Sequence, residues 1–432
     1  MKLFLIFLSL FIFSCSTDKD KKVDLEIFKK QGEKINVFEA NNVFDKEVDS
    51  RIVLQLSQPQ INKKWSYEHF SSNNFYDHLV YEGQFQDIFK KNIGDYINKN
   101  NDSGSLLVFE NFVFFSDEKG KIYKFDTNGQ KIIWELKIYE SSYNNYPKNV
   151  ALFLNDDVLF AADNLGFIYS IDVQTGKTIW QQNYGIPFSS HLNFHKGILY
   201  VVNQNSRLYA FNPLDGQKIW SFESLSGLIK PSRSSNISLH DNKLLFSNDV
   251  GDITAIDLNQ QVITWTKNIL SQNSISNNLV FKISNILIDK KDVYVSSNSG
   301  DLFNLNLETG EIKWSQKLSS IQNHISSDKY LFVLTENGFV IAFNKINGTI
   351  LWSLNLTKFS KNNKTSLDYY GLLLASNNLY ATSSNGDIYK ISANDGKYIS
   401  HKKINNELSR APIIVDNKLL ILNRSSELII LN

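Results

Sequence analysis

Cysteine is almost missing from this chain: Cys15 is the only one in 432 residues. A disulfide framework and a multi-cysteine metal site are excluded by that count alone. Proline is scarce as well, with six residues, while asparagine and lysine are plentiful. The asparagines fall largely in turns, so that bias says little about chemistry. An excess of one charge is also absent. Forty-five basic residues face 44 acidic ones, for a formal net charge of +1, and no long basic block occurs. That balance argues against nucleic acid as a partner, which calls for a basic face. Past residue 13 no apolar run approaches the roughly 20 residues that cross a bilayer as a helix. What remains is ample apolar material, 42% of the chain, enough for a large core.

The first 15 residues, "MKLFLIFLSLFIFSC", hold one lysine and an apolar run from Leu3 to Phe13. The run is too short to span a membrane and reads as the core of a secretory signal. Its end, "IFSC", resembles a bacterial lipobox, which implies cleavage before Cys15 and lipid attachment there. Lipidation would consume the one thiol, leaving no cysteine nucleophile and no thiolate ligand. Ser16 follows, and the lack of an aspartate there favours the outer membrane under the Gram-negative sorting rule. The chain then divides into a signal peptide (1–14), a lipidated, charge-rich and flexible tether (15–50), a lead-in segment (51–86) and a repeat body (87–432).

The body repeats one phrase. "GKIYKFDTNGQKIIW" ends at Trp134 and "GFIYSIDVQTGKTIW" at Trp180, and the pattern returns at Trp220, Trp265, Trp314 and Trp352. A further copy, "GDIYKISANDGKYIS", ends at Ser400 where the tryptophan is lost. The intervals are 46, 40, 45, 49, 38 and 48 residues. Each unit carries four short alternating apolar segments separated by turn residues, the pattern of a four-stranded β-propeller blade. Upstream, "QDIFKKNIG" places Phe89 45 residues before Trp134, as an outermost strand with no blade of its own. Downstream, "APIIVDNKLLILNRSSELIILN" supplies three strands without a fourth. The orphan strand is expected to complete that last blade, giving an all-β, eight-bladed propeller. Seven blades is the alternative count, if one copy is misread. Joining the two ends in one sheet would remove exposed edges. Each tryptophan is expected to wedge between neighbouring blades with its indole N–H on a carbonyl.

These phrases resemble the tryptophan-docking repeat of the quinoprotein (PQQ-like) propellers. Within that group the chain is similar to the BamB-like outer-membrane assembly lipoproteins, of alphaproteobacterial type. The lead-in carries Leu56, Pro59, Asn62, Trp65 and His78, followed by Phe89, in the order such members show. The resemblance implies a non-enzymatic scaffold of the outer-membrane β-barrel assembly (BAM) complex. Its partner would be the POTRA region of a BamA-like barrel-forming subunit, with unfolded outer-membrane proteins as further partners. It also implies that the loop after the third tryptophan unit makes that contact, here Leu228, Ile229, Lys230 and Arg233. Lysine replaces the family's arginine there, a point charge without the bidentate fork. A second, acidic family loop is matched by "NLVFKISN", where Lys282 and Ser284 stand.

An enzyme of the quinoprotein type would need a hard-cation site of carboxylate and amide oxygens beside its cofactor. No carboxylate cluster stands out from the turn positions, and the seven histidines show no metal-ligand spacing. His191 and His195 are four apart, but on a strand and a turn. No Gly-x-Ser-x-Gly elbow or phosphate loop occurs. The expectation is therefore no catalytic residue, no metal and no cofactor. A periplasmic ligand-binding or sensor propeller with another partner is the alternative function, and a degenerate quinoprotein enzyme the third.

Overall fold

In a computed structural model, described over residues 44–50, 52–95, 105–143, 145–228, 230, 235–270, 280–360 and 367–432, the body is a ring of eight antiparallel four-stranded blades. Asn42–Asn432 forms one compact unit, and residues 1–41 lie outside the described residues. Blade 1 runs from Leu107 to Lys137, blade 2 from Val150 to Asn183 and blade 3 from Asn193 to Glu223. Blades 4 to 7 follow over Ile237–Asn268, Leu287–Lys317, Ile325–Asn355 and Tyr369–Lys403. In blade 8 three strands between Ile413 and Leu431 accept Asp87–Asn92 as their outermost strand, with Phe89 opposite Ile430. Eight is therefore the blade count, and the two ends of the repeat body, Asp87–Asn92 and Glu427–Leu431, share one sheet.

The sequence pattern accounts for the layering. The second and third strands of each blade, such as Ile198–Val202 and Arg207–Phe211, are buried nearly throughout because neighbouring blades cover both faces. Outermost strands alternate, as in Thr178–Asn183, because one side meets solvent. Each outermost strand also carries a β-bulge just before the tryptophan position. Trp180 faces Ser170 while Thr178 faces Ile171, so Ile179 is the extra residue. The bulge turns the ring toward the next blade.

Five tryptophans then dock alike. The indole N–H groups of Trp134, Trp180, Trp265, Trp314 and Trp352 donate to the carbonyls of Val173, Pro213, Leu307, Lys345 and Ala393, at 2.9–3.2 Å. Every acceptor lies in the turn before the next blade's outermost strand. A glycine there presses on the ring: a Cβ at Gly176, with φ +70°, would lie 2.6 Å from Trp134. Trp220 makes no such bond among the described residues. In the turn it faces, Gln261 holds the glycine's place at φ 56°.

The sequence reading placed residues up to 50 in a flexible tether. Instead Phe44–Ser50 runs along blade 6. Val48 pairs with Ser353, Glu47 forms an ion pair with Lys358, and Phe44 meets Phe339 edge-on. The lead-in that follows runs across the innermost strands of the blades.

Candidate functional site

The two faces of the ring differ because the lead-in segment occupies one of them. Its backbone and amide side chains reach every blade. Trp65 pairs with Val108 of blade 1, Ser66 accepts from Leu154 N of blade 2, and Ser72 accepts from Asn193 Nδ2 of blade 3. Asn74, fully buried, donates through Nδ2 to the carbonyls of Ile237 and Ile286, tying blades 4 and 5. Ser57 N donates to Asp328 of blade 6, Leu79 N to Leu374 O of blade 7, and Asn62 Nδ2 to Ile414 O of blade 8. The sealed face is the one that carries the turns between the first and second strands.

Behind this seal the channel holds a cavity of about 480 Å³ that faces the opposite side. Its floor is formed by Trp65, Glu68, His69 and Tyr76. Its walls come from the starts of the innermost strands, including His191, Asn285, Asn323 and Tyr369. Cationic Lys282, Arg410 and Arg424 line it together with anionic Glu68, Glu336 and Asp368, so the charges balance. Several of these charges are already engaged. Ser105 Oγ donates to Glu68 Oε2 at 3.0 Å, Ser319 donates to Glu336, and Arg424 pairs with Glu407.

Three of the histidines hold structure together. His78 Nδ1 lies 2.7 Å from Ser57 O and its Nε2 accepts from Asn377 N at 3.0 Å, an arrangement that requires the neutral ring with its proton on Nδ1. Burial holds its pKa below the usual histidine range. His324 is fully enclosed, with Nε2 2.9 Å from Ser296 Oγ, and burial pushes its pKa down to about 3. His191 Nε2 lies 2.9 Å from the carbonyl of Ile237, and its ring meets that of His69 edge-on.

The fold family raises the question of a calcium-held quinone. Among the described residues no group of three or more His, Cys, Asp or Glu is placed to hold a metal ion. The cavity's carboxylates belong to different elements, and two of them are tied to serine hydroxyls. Such a donor set does not fit that cofactor.

The loop after the third tryptophan unit lies on the open face, between blades 3 and 4. Its base is fixed on the buried Asp249, which accepts from Gly227 N at 2.9 Å and from Ser206 Oγ at 3.2 Å. Asn248 Nδ2 also holds Ser224 Oγ and Leu225 O. Lys230 is drawn back to this anchor, 3.6 Å from the Asp249 carboxylate. Leu228 instead projects fully into solvent, at 102% exposure, and Leu225 is 73% exposed. Ile229 and Arg233 lie outside the described residues, as does Cys15. In the second loop, Lys282 reaches the cavity wall, whereas Ser284 is buried and bonded to Ser296 N. The anchors Asp249 and Asn248 gave no signal in the sequence, because each looks like any other turn residue. Asn74 was also missed, since its two acceptors lie more than 160 residues away.

Comparison with known proteins bears on what this face serves. Residues 118–354, spanning blades 1 to 6, match the family described as Outer membrane protein assembly factor BamB. The BamB protein of Yersinia pestis is 22% identical over 233 residues, covering 53% of this chain and 57% of that protein. That of Escherichia coli K12 is 24% identical over 183 residues, covering 40% of this chain and 43% of its own length. The chain thus spans about half the length of these curated relatives. BamB from Moraxella catarrhalis has a similar structure, with TM-score 0.66 at 14% identity over 80% of this chain and 99% of that one. A quinohemoprotein alcohol dehydrogenase from Comamonas testosteroni shares the fold equally well, at TM-score 0.66 and 10% identity over 85% of this chain and 80% of that one. At such identities the solved structures speak for the propeller alone, and no described helix is long and apolar enough to cross a membrane. The match over more than half its length shows that this chain belongs to the outer membrane protein assembly factor BamB family.

Proposed function

We propose that this protein is a non-enzymatic scaffold in the assembly of outer-membrane β-barrel proteins. It binds the POTRA region of a BamA-like subunit through the open face of its propeller. The observation that carries the reading is the family match over residues 118–354, which contains the blade 3–4 loop. That loop presents Leu225 and Leu228 on a base fixed by Asp249 and Asn248. Two large apolar side chains held in water on a rigid base are the kind of anchor that fills a partner's pocket. Lys230, already neutralised by Asp249, contributes little charge to the contact.

Lipid attachment at Cys15 completes the proposal. A chain tethered to the periplasmic face of the outer membrane shares that surface with its partner. The gain is in effective concentration, and a modest interface suffices. The matched charges of the cavity and the occupied end of its channel support scaffolding over catalysis. The test is purification of the full-length protein from detergent-solubilised membranes under mild conditions. Recovery of the barrel-forming subunit in stoichiometric amount is expected, and its loss with a Cys15→Ser variant kept in the same cells. A wild-type protein that is membrane-bound but recovered alone overturns the proposal.

A further inference from the structure

Seven blades end in a tryptophan or should do so, yet blade 7 carries Ser400 at that position. The topology explains the loss. A docking tryptophan rests on the turn that joins the third and outermost strands of the next blade. In blade 8 those strands are Glu427–Leu431 and Asp87–Asn92, which no turn connects. A tryptophan at residue 400 would have nothing to rest on. The aromatic partner of that missing ring is still present. Phe332 of blade 6 lies across the sheet from Ala342 and Trp352, and its ring packs near Trp352 at 6.0 Å. Tyr380 holds the same register in blade 7, across from Lys390 and Ser400. Its ring is met instead by Tyr81, 5.4 Å away and edge-on, and by Phe85 at 6.0 Å.

We infer that residues 78–86 are a latch that closes the ring between blades 7 and 8, with Tyr81 and Phe85 standing in for the absent tryptophan. The backbone bonds of this stretch join both blades. His78 and Leu79 hold blade 7 through Asn377 N and Leu374 O, and Tyr81 N donates to Ser376 Oγ at 3.1 Å. Glu82 N donates to Asn417 Oδ1 of blade 8, and Gln86 exchanges two bonds with Asn432. Gly83 lets the two segments meet, since a Cβ there would lie 2.2 Å from the Asn432 carbonyl carbon. The latch also carries unsatisfied polar groups. The hydroxyls of Tyr81 and Tyr380 are buried without a partner among the described residues, an arrangement that costs stability. Five of the other junctions end in an indole bonded to a turn of covalently continuous chain, whereas this one rests on a strap from some 300 residues away. Local opening of a fold starts where such support is weakest, so the ring opens here first.

Hydrogen–deuterium exchange of the full chain tests the latch. In the wild type, amides of 378–392 and 427–431 are expected to exchange at least tenfold faster than those of 158–172. The Tyr81→Ala/Phe85→Ala variant is expected to widen that gap a further tenfold while leaving 158–172 unchanged. Ser400→Trp, which restores the missing residue, is expected to leave the exchange of 378–392 unchanged, since the ring has no turn to dock on. Tyr81→Phe, which keeps the ring and drops only a partnerless hydroxyl, serves if the alanine variant does not fold. It is expected to leave exchange within twofold of wild type. Uniform exchange around the ring, or a slowing by Ser400→Trp, overturns the inference.

Discussion

One face of the ring is sealed by a segment that touches every blade, and the other holds a cavity beside a loop with two exposed leucines. The sealed face also shows apolar side chains, Ile52, Val53 and Ile61, at 54–70% exposure. Exposure alone therefore does not distinguish the faces. What differs is the backbone beneath. On the sealed face these side chains ride on a strap whose bonds are spent on holding eight blades together. On the open face the leucines stand on a loop held locally, by Asp249 and Asn248 of one turn and not by bonds spread over the ring. Side chains on the first surface are supported for stability, and those on the second for contact.

Variants should separate these two kinds of support. The largest effect is expected at Trp65, buried to 2% between Phe70 and Tyr76 on the strap. Trp65→Ala should cost on the order of 3–5 kcal/mol in urea unfolding, the usual range for a buried tryptophan. Asn74→Ala leaves the carbonyls of Ile237 and Ile286 without their donor, and roughly 1–3 kcal/mol is expected for each buried group left unpaired. Acid should act on the same scaffold. His324 titrates near 6.5 when unfolded and at about 3 when folded, so the unfolded chain takes up its proton first. Stability is whole above about pH 6.5 and falls as pH drops toward 3, by up to roughly 1.4 kcal/mol per pH unit. His78, also held down by burial, acts in the same direction. A His324→Gln variant should flatten the slope of urea midpoint against pH between 6.5 and 4. Smaller still is the contrast between two tryptophans. Trp352→Phe loses a buried bond to Ala393 O and should cost about 1 kcal/mol or more. Trp220→Phe loses no such bond and should cost measurably less in the same thermal melt.

The fold was largely legible because one constraint recurs. A docking ring, a bulge and a tight turn return about every 45 residues, and each signals through local residue types. The departures were legible as positions but not as causes. Phe89 and Ser400 stood out from the repeat, yet the reason for Ser400 is a missing turn in another blade. The lead-in segment was harder to read. Its residues obey no period, since each answers to a different blade, and the tether reading of residues 44–50 fails for that reason. Of the candidate contact loop, the sequence supplied the place through resemblance. It did not supply the division of labour, in which Leu228 projects and Lys230 is turned back to Asp249. A buried aspartate below a loop is fixed by blade geometry, which no local pattern records.

The measurement closest to the central claim compares the two faces directly. Full-length Leu225→Asp/Leu228→Asp and Ile52→Asp/Ile61→Asp variants would each be purified from solubilised membranes and scored for the barrel-forming subunit. Substitutions at such exposed sites should leave stability within about 0.5 kcal/mol. The account predicts that the leucine variant loses the partner at least tenfold while the isoleucine variant retains it. Retention by the leucine variant, with loss from the isoleucine variant, would contradict it.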